Sequence, residues 1–531
     1  MADKSPKKIA QTILACLALV ALLAAALFLN ANHTNNSSTK VEGTISTDNG
    51  DSKINWSRYP TTDVELTESL NITKSGTYHL TGTLADGVVS INVDNEEGVV
   101  RLILDNATIK NSTGPAIACY SGDDLVVELI GENIVEDATE YAADYNEDVS
   151  GAIYSKADLT FSGDGILNIT ANYQDGIVSK DDLKFNGGTY NIKSADDGIR
   201  GKDSVYIVAG TFNIDATSDA IKSTNETTAG KGFVLIEDGA FKLVSTAKGI
   251  KAINSILING GNFDITSRDD AIHSNNYIGI KNGDFNINSS DDAIHADRQL
   301  IIDGGNITII QSYEGLEAQS ITINNGKISI KSFDDGINAG GGADNSSANR
   351  AGANPFNTDE DCVLIVNGGD IYINASGDGI DSNGYLYFNG GRTIVDGPTN
   401  NGNGALDAGV SITMNGGEVI AVGASGMAES LGDTSTVYNI SIYFSSTQIA
   451  GTKVEIKNSA DETIVKHTSV KNFSHLAVGT TKFEPGSTYI IYVDGDEYEE
   501  FTISNITTLV GSDNMGQNMP SGGNRGQMQF P

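Results

Sequence analysis

A repeat of about 22 residues constrains the fold of this chain more than any other feature of its sequence. Each copy contains a corner in which acidic, small and large aliphatic residues follow one another, as in "DDAIH" at Asp269–His273 and again at Asp291–His295. The aliphatic residues that anchor these corners recur in steps of 22, 22, 29, 22, 22, 22 and 21 residues. The anchors are Ile177, Ile199, Ile221, Ile250, Ile272, Ile294, Leu316 and Ile337, with further copies expected at Ile153, Ile380, Leu406 and Met427.

Within each repeat, apolar residues alternate with polar ones, which predicts short strands separated by glycine-containing turns. In one unit, Ile256, Ile258, Phe263 and Ile265 are expected to face the same core. About 22 residues at roughly 3.3 Å each form one turn of a coil, and stacked coils bury a continuous aliphatic core. We therefore predict an all-β chain: a right-handed parallel β-helix of ~22-residue coils with a small C-terminal β-sheet cap, preceded by a single hydrophobic N-terminal helix.

The composition of the chain changes along its length and predicts five segments. Lysines precede a long apolar run at the N-terminus, which is typical of a signal peptide or a membrane anchor, so the rest of the chain is expected to be exported. The next stretch is rich in Asn, Ser and Thr, as in flexible linkers. The predicted segments are a signal or anchor (1–29), a linker (30–58), the β-helix (59–433), a β-rich C-terminal cap (434–511) and a disordered tail (512–531).

The chain is strongly acidic, with a net formal charge of −36 at pH 7. This charge argues against nucleic acid as a partner, because a phosphate backbone needs Lys and Arg to replace its counterions. An acidic polymer could be held only through bridging cations. The cysteines form no disulfide framework or metal motif, so Cys119 and Cys362 are expected to be buried thiols. The exported part is expected to be a monomer that meets a membrane only through its N-terminal segment.

The acids that lie two residues before each aliphatic anchor form a regular column. Equivalent residues of neighbouring coils lie about 4.8 Å apart, where two carboxylates repel each other by about 3 kcal/mol at an effective dielectric constant of 20. Either each aspartate caps its own turn by accepting backbone N–H groups, or hard cations such as calcium lie between the coils. The second interpretation predicts calcium ligands among Asp196, Asp197, Asp219, Asp269, Asp270, Asp291, Asp292, Asp334 and Asp335.

Basic residues flank or interrupt this column. Arginines near a glycan could hold a sugar carboxylate. Two histidines lie one repeat apart, either as surface residues or as a pair that holds a transition metal. Lys248 interrupts the acids, where it would neutralise their charge or, in a lyase, act as the base with Arg268 nearby. The candidate ligand-binding residues are Arg200, Arg268, Arg298, His273 and His295.

The "DDGI" and "DDAI" corners resemble those of bacterial carbohydrate-binding domain-containing β-helix proteins, and Phe483–Gly511, "FEPGSTYIIYVDGDEYEEFTISNITTLVG", is similar to the way those proteins end. The resemblance spans roughly Val64 to Gly511. It implies an extracellular or cell-surface protein that binds plant-type or acidic polysaccharides, with calcium, in a fold related to pectate lyases. A weaker resemblance to polygalacturonases rests on the "DD" pairs alone, without the "GHG" and "RIK" motifs of those enzymes.

Three functions remain open from the sequence. The first is a carbohydrate-binding protein for a polysaccharide that could contain uronates, and it is favoured because no single corner stands out as catalytic. The second is a calcium-dependent, pectate-type polysaccharide lyase, which would require Lys248 and an arginine to face one open groove beside the doubled aspartates. The third is a non-catalytic surface adhesin or spacer whose target is a protein, which would be favoured if the acids were only turn caps and the surface had no groove.

Overall fold

The computed structural model of the chain describes residues 54–93, 98–143, 145–146, 148–340 and 358–511. The predicted N-terminal helix, most of the predicted linker and the predicted tail lie outside the described residues. Over the described ranges, the secondary structure consists of one short 3-10 helix, Trp56–Arg58, and 45 strands, which confirms the all-β class. No helix in this part of the chain is long and apolar enough to cross a membrane.

The strands are numbered in chain order. Strands β1 to β15 are Thr61–Leu66, Leu70–Ile72, Gly76–Leu84, Val89–Asn92, Val99–Asp105, Thr108–Lys110, Ile117–Ser121, Asp124–Ile130, Glu132–Glu136, Gly151–Ser155, Asp158–Gly163, Ile166–Ala171, Asp175–Ser179, Asp182–Ser194 and Ile199–Gly201. Strands β16 to β30 are Ser204–Ala216, Ile221–Ser223, Phe233–Ile236, Ala240–Ser245, Ile250–Ala252, Ser255–Ile258, Asn262–Ser267, Ile272–Ser274, Tyr277–Ile280, Asp284–Ser289, Ile294–Ile302, Asn306–Ser312, Leu316–Ile323, Lys327–Ser332 and Ile337–Ala339. Strands β31 to β45 are Val363–Val366, Asp370–Ala375, Ile380–Ser382, Tyr385–Phe388, Arg392–Asp396, Leu406–Ala408, Ser411–Met414, Glu418–Gly423, Asn439–Gln448, Lys453–Asn458, Thr463–Thr468, Phe473–Thr480, Thr488–Val493, Asp496–Thr502 and Thr507–Val510.

Strands of the repeat region pair in parallel with their equivalents one repeat later. Strands β20, β21 and β22 pair with β23, β24 and β25, and Ile250 lies opposite Ile272. Three strands per repeat therefore contribute to three parallel ladders: the first contains β20 and β23, the second β21 and β24, and the third β22 and β25. The first ladder continues across the longer steps, because Ile221 pairs with Ile250 and Ile337 pairs with Ile380.

Parallel pairing extends further towards the N-terminus than the regular period does. Val89 pairs with Ile117, which pairs with Ile153, so the early repeats are longer than 22 residues and their length varies. This variation hides the repeat in the sequence. At the other end, Leu406 pairs with Ile380 as expected, but Met427 lies in a turn and anchors no further strand.

The anchors and the inward-facing strand residues form one continuous buried core. The predicted core residues Ile256, Ile258, Phe263 and Ile265 are all buried. Phe263 belongs to a column in the third ladder in which Phe212, Phe241, Phe263 and Phe285 stack nearly parallel, with ring centroids 4.6 to 5.1 Å apart. Cys119 and Cys362 are buried free thiols, as predicted.

The pairing pattern changes after β38. Strand β42 pairs antiparallel with β38 and with β39, and β45 pairs with β39 in parallel. Strands β41, β40, β43 and β44 form a separate antiparallel sheet in that order. These strands lie within the predicted cap and share a second hydrophobic core, which includes Ile420 and Val422 of β38. The edge of β38 is therefore paired rather than exposed.

Candidate functional site

The acidic column is held together by side chain to backbone hydrogen bonds between repeats. In seven of the acids, Oδ1 of the carboxylate accepts the backbone N–H of the residue at the equivalent position one repeat later. These acids are Asp175, Asp197, Asp219, Asp270, Asp292, Asp335 and Asp378. The N···O distance is 3.0 Å from Asp197 to Asp175, and 3.1 Å from Asp292 to Asp270. The same bond joins Asp378 to Asp335 at 2.6 Å. The acids therefore cap the next repeat. The sequence analysis had considered that each aspartate caps its own turn.

A second oxygen of most of these acids contacts another column, formed by the residue that follows each aliphatic anchor. These residues lie opposite one another in the parallel register, and their charge changes along the column. The members are Val178, Arg200, Lys222, Lys251, His273, His295, Glu317, Asn338, Asp381 and Asp407. The sequence analysis identified three of them as separate candidates but missed the column. This column lies three residues after the acids in every repeat, so the alignment that revealed the acids could also have revealed it.

In the earlier repeats, basic side chains of this second column neutralise the buried acids. Arg200 donates from Nη2 to Asp175 Oδ2 and to Ser150 Oγ. Lys222 Nζ lies 3.2 Å from Asp197 Oδ2 and 3.0 Å from an oxygen of the next acid in the column. Burial raises the pKa of Asp175 to about 6, although the Arg200 guanidinium opposes that shift.

Lys248 is the cation in the middle of the acidic column. Its Nζ lies 2.8 Å from Asp269 Oδ1 and 2.9 Å from Asp270 Oδ2, and its side chain is only 7% exposed. His273 Nδ1 lies 2.8 Å from the same Asp270 oxygen. Burial alone would raise the pKa of Asp270, but His273 and Lys248 hold it below its usual value. The predicted ligands Asp269, Asp270 and Asp291 do come together, with one oxygen of each within 4.8 Å of the others, and the Lys248 ammonium contacts the first two.

The next repeat places a histidine among three carboxylates. His295 Nδ1 lies 2.7 Å from Glu317 Oε2 and 3.2 Å from Asp292 Oδ2, while Nε2 lies 3.2 Å from Asp297 Oδ1. Burial lowers the pKa of His295, but these carboxylates outweigh it and raise the pKa well above its usual range. The ring stacks on His273 with centroids 5.0 Å apart. Both histidines are buried, so they are not the surface residues that the sequence left open.

The other predicted residues are dispersed. Asp196 joins Asp175 and Asp197 in a group whose oxygens lie within 4.8 Å, whereas Asp219 is absent from that group. The three arginines occupy different positions of the repeat: Arg200 follows its anchor directly, Arg268 precedes its anchor by four residues and Arg298 follows its anchor by four. Arg268 and Arg298 are exposed. The register therefore does not gather the three arginines into one site.

The C-terminal end of the column contains a cluster of acids. Carboxylate oxygens of Asp335, Asp378 and Asp381 lie within 4.8 Å of one another. A side chain at residue 377 would collide with the Oδ1 atoms of Asp334 and Asp335, so only the glycine found there lets both carboxylates approach. Among the described residues, no Lys, Arg or His side chain forms an ion pair with Asp335 or Asp378.

The electrostatics of this cluster differ from those of the rest of the column. Burial, and then the neighbouring acids, raise the pKa of Asp335 well above its usual value. Burial raises the pKa of Asp378 to about 7, and Asp407 and Asp334 add to the effect. The cluster thus brings several carboxylate oxygens close together, and such oxygens are the ligands that a hard divalent cation prefers. Asp378 and Asp381 were not among the predicted ligands.

By its fold and this site, the chain is an all-β repeat protein with acidic corners. Residues 67–315 match the model of a family described as "Carbohydrate-binding domain-containing protein", which confirms the resemblance inferred from the sequence over that part of the chain. A protein of that description from Acetivibrio thermocellus is 33% identical over 129 residues, which are 24% of this chain. The match spans 45% of that relative's length.

A solved structure is also similar to part of the chain. It is described as "the polysaccharide lyase-like protein from C. thermocellum", determined as a gadolinium derivative. The sequences are 26% identical, and the match covers 47% of this chain and 94% of the solved one, with a TM-score of 0.35.

Proposed function

We propose that the chain is an exported carbohydrate-binding protein, either secreted or anchored at the cell surface, whose ligands are plant-type or acidic polysaccharides. The observation that carries this proposal is the family match over residues 67–315. The parallel ladders support the finer prediction that the repeats close into a right-handed β-helix with a C-terminal β-sheet cap. Such a fold presents long rows of identical corners, which suits a repetitive ligand. The N-terminal hydrophobic helix belongs to the same proposal.

We place the calcium of this proposal at the C-terminal end of the acidic column. Asp334, Asp335, Asp378 and Asp381 supply carboxylate oxygens around the gap left by Gly377. Calcium takes six to eight oxygen ligands and tolerates irregular geometry. At Asp197, Asp219, Asp269, Asp270 and Asp292, ammonium, guanidinium or imidazole groups of the chain already contact the carboxylates, and a second cation would have to displace them. Calcium bound to these acids would supply the positive charge that a uronate needs.

An aromatic side chain next to the acids supports sugar binding. Phe333 is 60% exposed, although most phenylalanines of the repeat region lie in the core. It directly precedes Asp334, and its N–H bonds to the carbonyl of Ser312 in the preceding repeat. A sugar ring presents apolar C–H groups on its faces, so an exposed aromatic ring beside a charged site can hold the face while the charge holds a carboxylate.

The surroundings of Lys248 favour binding over catalysis. A base that abstracts a proton needs a free amine within reach of the substrate, and Lys248 is buried and held by two carboxylates. Arg268, its proposed companion in a lyase, is exposed. The lyase remains the second candidate because a divalent cation beside a uronate also acidifies the proton at C5 of the sugar.

Isothermal titration calorimetry on the exported chain would test the proposal. Calcium and then trigalacturonate are titrated into the wild type, into Asp335→Asn with Asp378→Asn, and into Asp164→Asn with Asp215→Asn. The last pair removes the same charge from exposed sites. We expect calcium binding and calcium-dependent trigalacturonate binding in the wild type and the control, and loss of both in the cluster variant. Unsaturated-uronate absorbance in the same samples would show a lyase, and no binding to any glycan would contradict the proposal.

A further inference from the structure

We propose that the chain has a transition-metal site, separate from the proposed calcium cluster, in which His295 and two carboxylates hold a zinc ion between consecutive repeats. The ligands are Nδ1 of His295 and one carboxylate oxygen each of Asp292 and Glu317. The three donor atoms lie within 4.8 Å of one another. Glu317 lies opposite His295 in the parallel register, one repeat later. The ion would therefore join two neighbouring repeats.

The spacing of the donor atoms suits a tetrahedral ion. Zinc lies about 2.1 Å from imidazole nitrogen and carboxylate oxygen, so two ligands at the corners of a tetrahedron are about 3.4 Å apart. Asp292 Oδ2 lies 3.2 Å from His295 Nδ1, and Glu317 Oε2 lies 2.7 Å from the same nitrogen. Asp292 is thus already in place, and the Glu317 carboxylate would withdraw by about 0.7 Å through its side-chain torsions. A water molecule would complete the tetrahedron.

The three ligands are buried and held in position by their neighbours. The side chains of His295, Asp292 and Glu317 are 2%, 7% and 8% exposed. Asp292 Oδ1 accepts the backbone N–H of Glu314 at 3.1 Å, which leaves Oδ2 on the side of the imidazole. The His273 ring stacks on that of His295 with centroids 5.0 Å apart. Metal ligands that are fixed in this way need little reorganisation when the ion binds.

The second ring nitrogen of His295 gives an independent indication of metal binding. Nε2 lies 3.2 Å from Asp297 Oδ1. A histidine that ligates a metal almost always donates its other N–H to a carboxylate, a carbonyl or water, which fixes the tautomer and the ring orientation. With its proton on Nε2, the neutral ring directs the Nδ1 lone pair towards Asp292 and Glu317. Asp297 therefore acts as a positioning residue for the ligand.

The charge of the site suits a divalent ion that accepts nitrogen. Burial raises the pKa of Asp292 well above its usual value, and Glu314 and Glu317 add to the effect although His295 opposes it. The site therefore retains protons, which a metal ion would release as it binds. Calcium takes oxygen ligands and would leave the imidazole nitrogen unused. Zinc binds imidazole and carboxylate together, so it would use the group that calcium would have to displace.

Two other histidines contact carboxylates in a different arrangement. His273 Nδ1 contacts Asp270 Oδ2, and the Lys248 ammonium lies 2.9 Å from the same oxygen. His79 has one carboxylate at each ring nitrogen, at 2.9 and 3.1 Å, and its side chain is 29% exposed. Over the described ranges, neither ring has a nitrogen that contacts two carboxylates. His79 therefore provides a matched control for His295.

Calorimetry of the exported chain with zinc chloride would test the proposal, with calcium present throughout to occupy the C-terminal cluster. The proteins are the wild type, His295→Gln, Glu317→Gln and the control His79→Gln. Loss of a partner outside the ligand set typically costs 10- to 100-fold in metal affinity. We expect one zinc ion per chain in the wild type and the control, and affinity at least about 100-fold lower in His295→Gln. Glu317→Gln keeps the size of the side chain and should also weaken zinc binding at least tenfold.

The outcomes separate this site from the proposed function. Equal zinc affinity in the wild type and His295→Gln overturns the site, and so does a wild type that binds no zinc at micromolar concentrations. Thermal unfolding without metal checks each fold, and Glu317→Gln decides the question if His295→Gln does not fold. Loss of zinc binding in Asp335→Asn with Asp378→Asn would move the ion to the calcium cluster and also overturn the proposal. Calcium and trigalacturonate titrations without zinc test the proposed function on the same samples, so either can fail alone.

Discussion

The corners at Asp270 and at Asp335 share a backbone interaction and differ in charge. In both, Oδ1 accepts an N–H from the next repeat, at 3.1 Å and 2.6 Å. The other oxygen of Asp270 contacts Lys248 and His273, whereas Asp335 is surrounded by further acids. The comparison shows that a corner can keep its hydrogen bond to the next repeat whether or not a cationic side chain balances its charge. The chain supplies the balancing cation in the middle of the column, and the proposed calcium would supply it at the end.

Removal of the internal cation should have the largest effect. Lys248→Met keeps the length of the side chain and leaves Asp269 and Asp270 without an ammonium. Breaking a buried ion pair costs about 3–5 kcal/mol, and we expect that loss in the free energy of unfolding measured with urea at pH 8. The loss should be smaller at pH 4, where protonation relieves Asp270 of its uncompensated charge.

Lys193→Met is the matched control, because Lys193 is exposed on a strand of the same ladder system. It should change the free energy of unfolding by less than about 0.5 kcal/mol. A Lys248→Met variant as stable as this control at pH 8 would show that the ammonium is not needed for charge balance. If Lys248→Met instead gains a calcium site, the two regions differ only in the source of their cation.

The C-terminal cluster should make stability depend on pH and calcium together. The pKa of Asp378 is about 7 in the folded chain and near 3.8 when unfolded, so the stability it contributes is complete below about pH 4. That contribution is lost as the pH rises through 7. Calcium at 100 times its dissociation constant would return about 2.7 kcal/mol. We expect the urea midpoint to fall from pH 5 to pH 8 in chelator, and calcium to raise it mainly at pH 8.

Asp378→Asn provides the comparison for that experiment. The amide does not titrate, so the fall between pH 5 and pH 8 should become smaller and the calcium effect should disappear. Equal stabilisation of wild type and variant by calcium would place the ion elsewhere in the chain.

Gly377→Ala should have an intermediate effect on the same cluster. The added methyl group collides with Asp334 and Asp335, and overpacking of this kind costs about 1–3 kcal/mol. The displaced carboxylates should weaken calcium binding at least tenfold in calorimetry. Gly402→Ala is the control, because that glycine has an ordinary φ and its nearest neighbour would be 3.3 Å from the new methyl. Unchanged calcium affinity in Gly377→Ala would exclude a cation held between these two carboxylates.

Phe333→Ala should have the smallest effect, and only on the ligand. Its ring is exposed, so the free energy of unfolding should stay within about 0.5 kcal/mol. A stacked sugar ring would lose about 1 kcal/mol, which corresponds to about fivefold in the affinity for trigalacturonate. Leu509→Ala, which truncates a side chain of similar exposure far along the sequence, should leave that affinity unchanged. The same affinity in both variants would remove Phe333 from the site.

The sequence predicted the strands and the core of the regular repeats because alternation and period are local properties of a chain. Ile250 and Ile272 could be aligned by counting residues alone. The early repeats escaped detection because the steps from Val89 to Ile117 and on to Ile153 follow no common period. Met427 was wrongly expected to anchor a strand because the spacing continued after the parallel pairing had ended.

The site was only partly predictable for a different reason. Counting placed Asp269, Asp270 and Asp291 near one another, but it could not show that Lys248 reaches across one repeat to contact two of them. It also could not show which face of the corner His273 and His295 occupy, and both proved to be buried. Asp378 belongs to the column aligned from the sequence, but Gly377 precedes it, so it lacks the doubled aspartate that the ligand prediction favoured. Asp381 was missed because it belongs to the second column, which the parallel register reveals.

The hydrogen bond that a backbone N–H donates to the acid of the preceding repeat makes the repeat a unit that can be added to the chain. A whole added repeat would present another acceptor and another donor and leave every existing bond in place. Residues inserted between two corners also leave the bond in place, because it joins Asp219 to Lys248 across 29 residues and Asp335 to Asp378 across 43. The chain can therefore vary its loops without disturbing the column, and each added turn adds a corner. The number of contacts with a long polymer would rise with the number of repeats, and avidity with it.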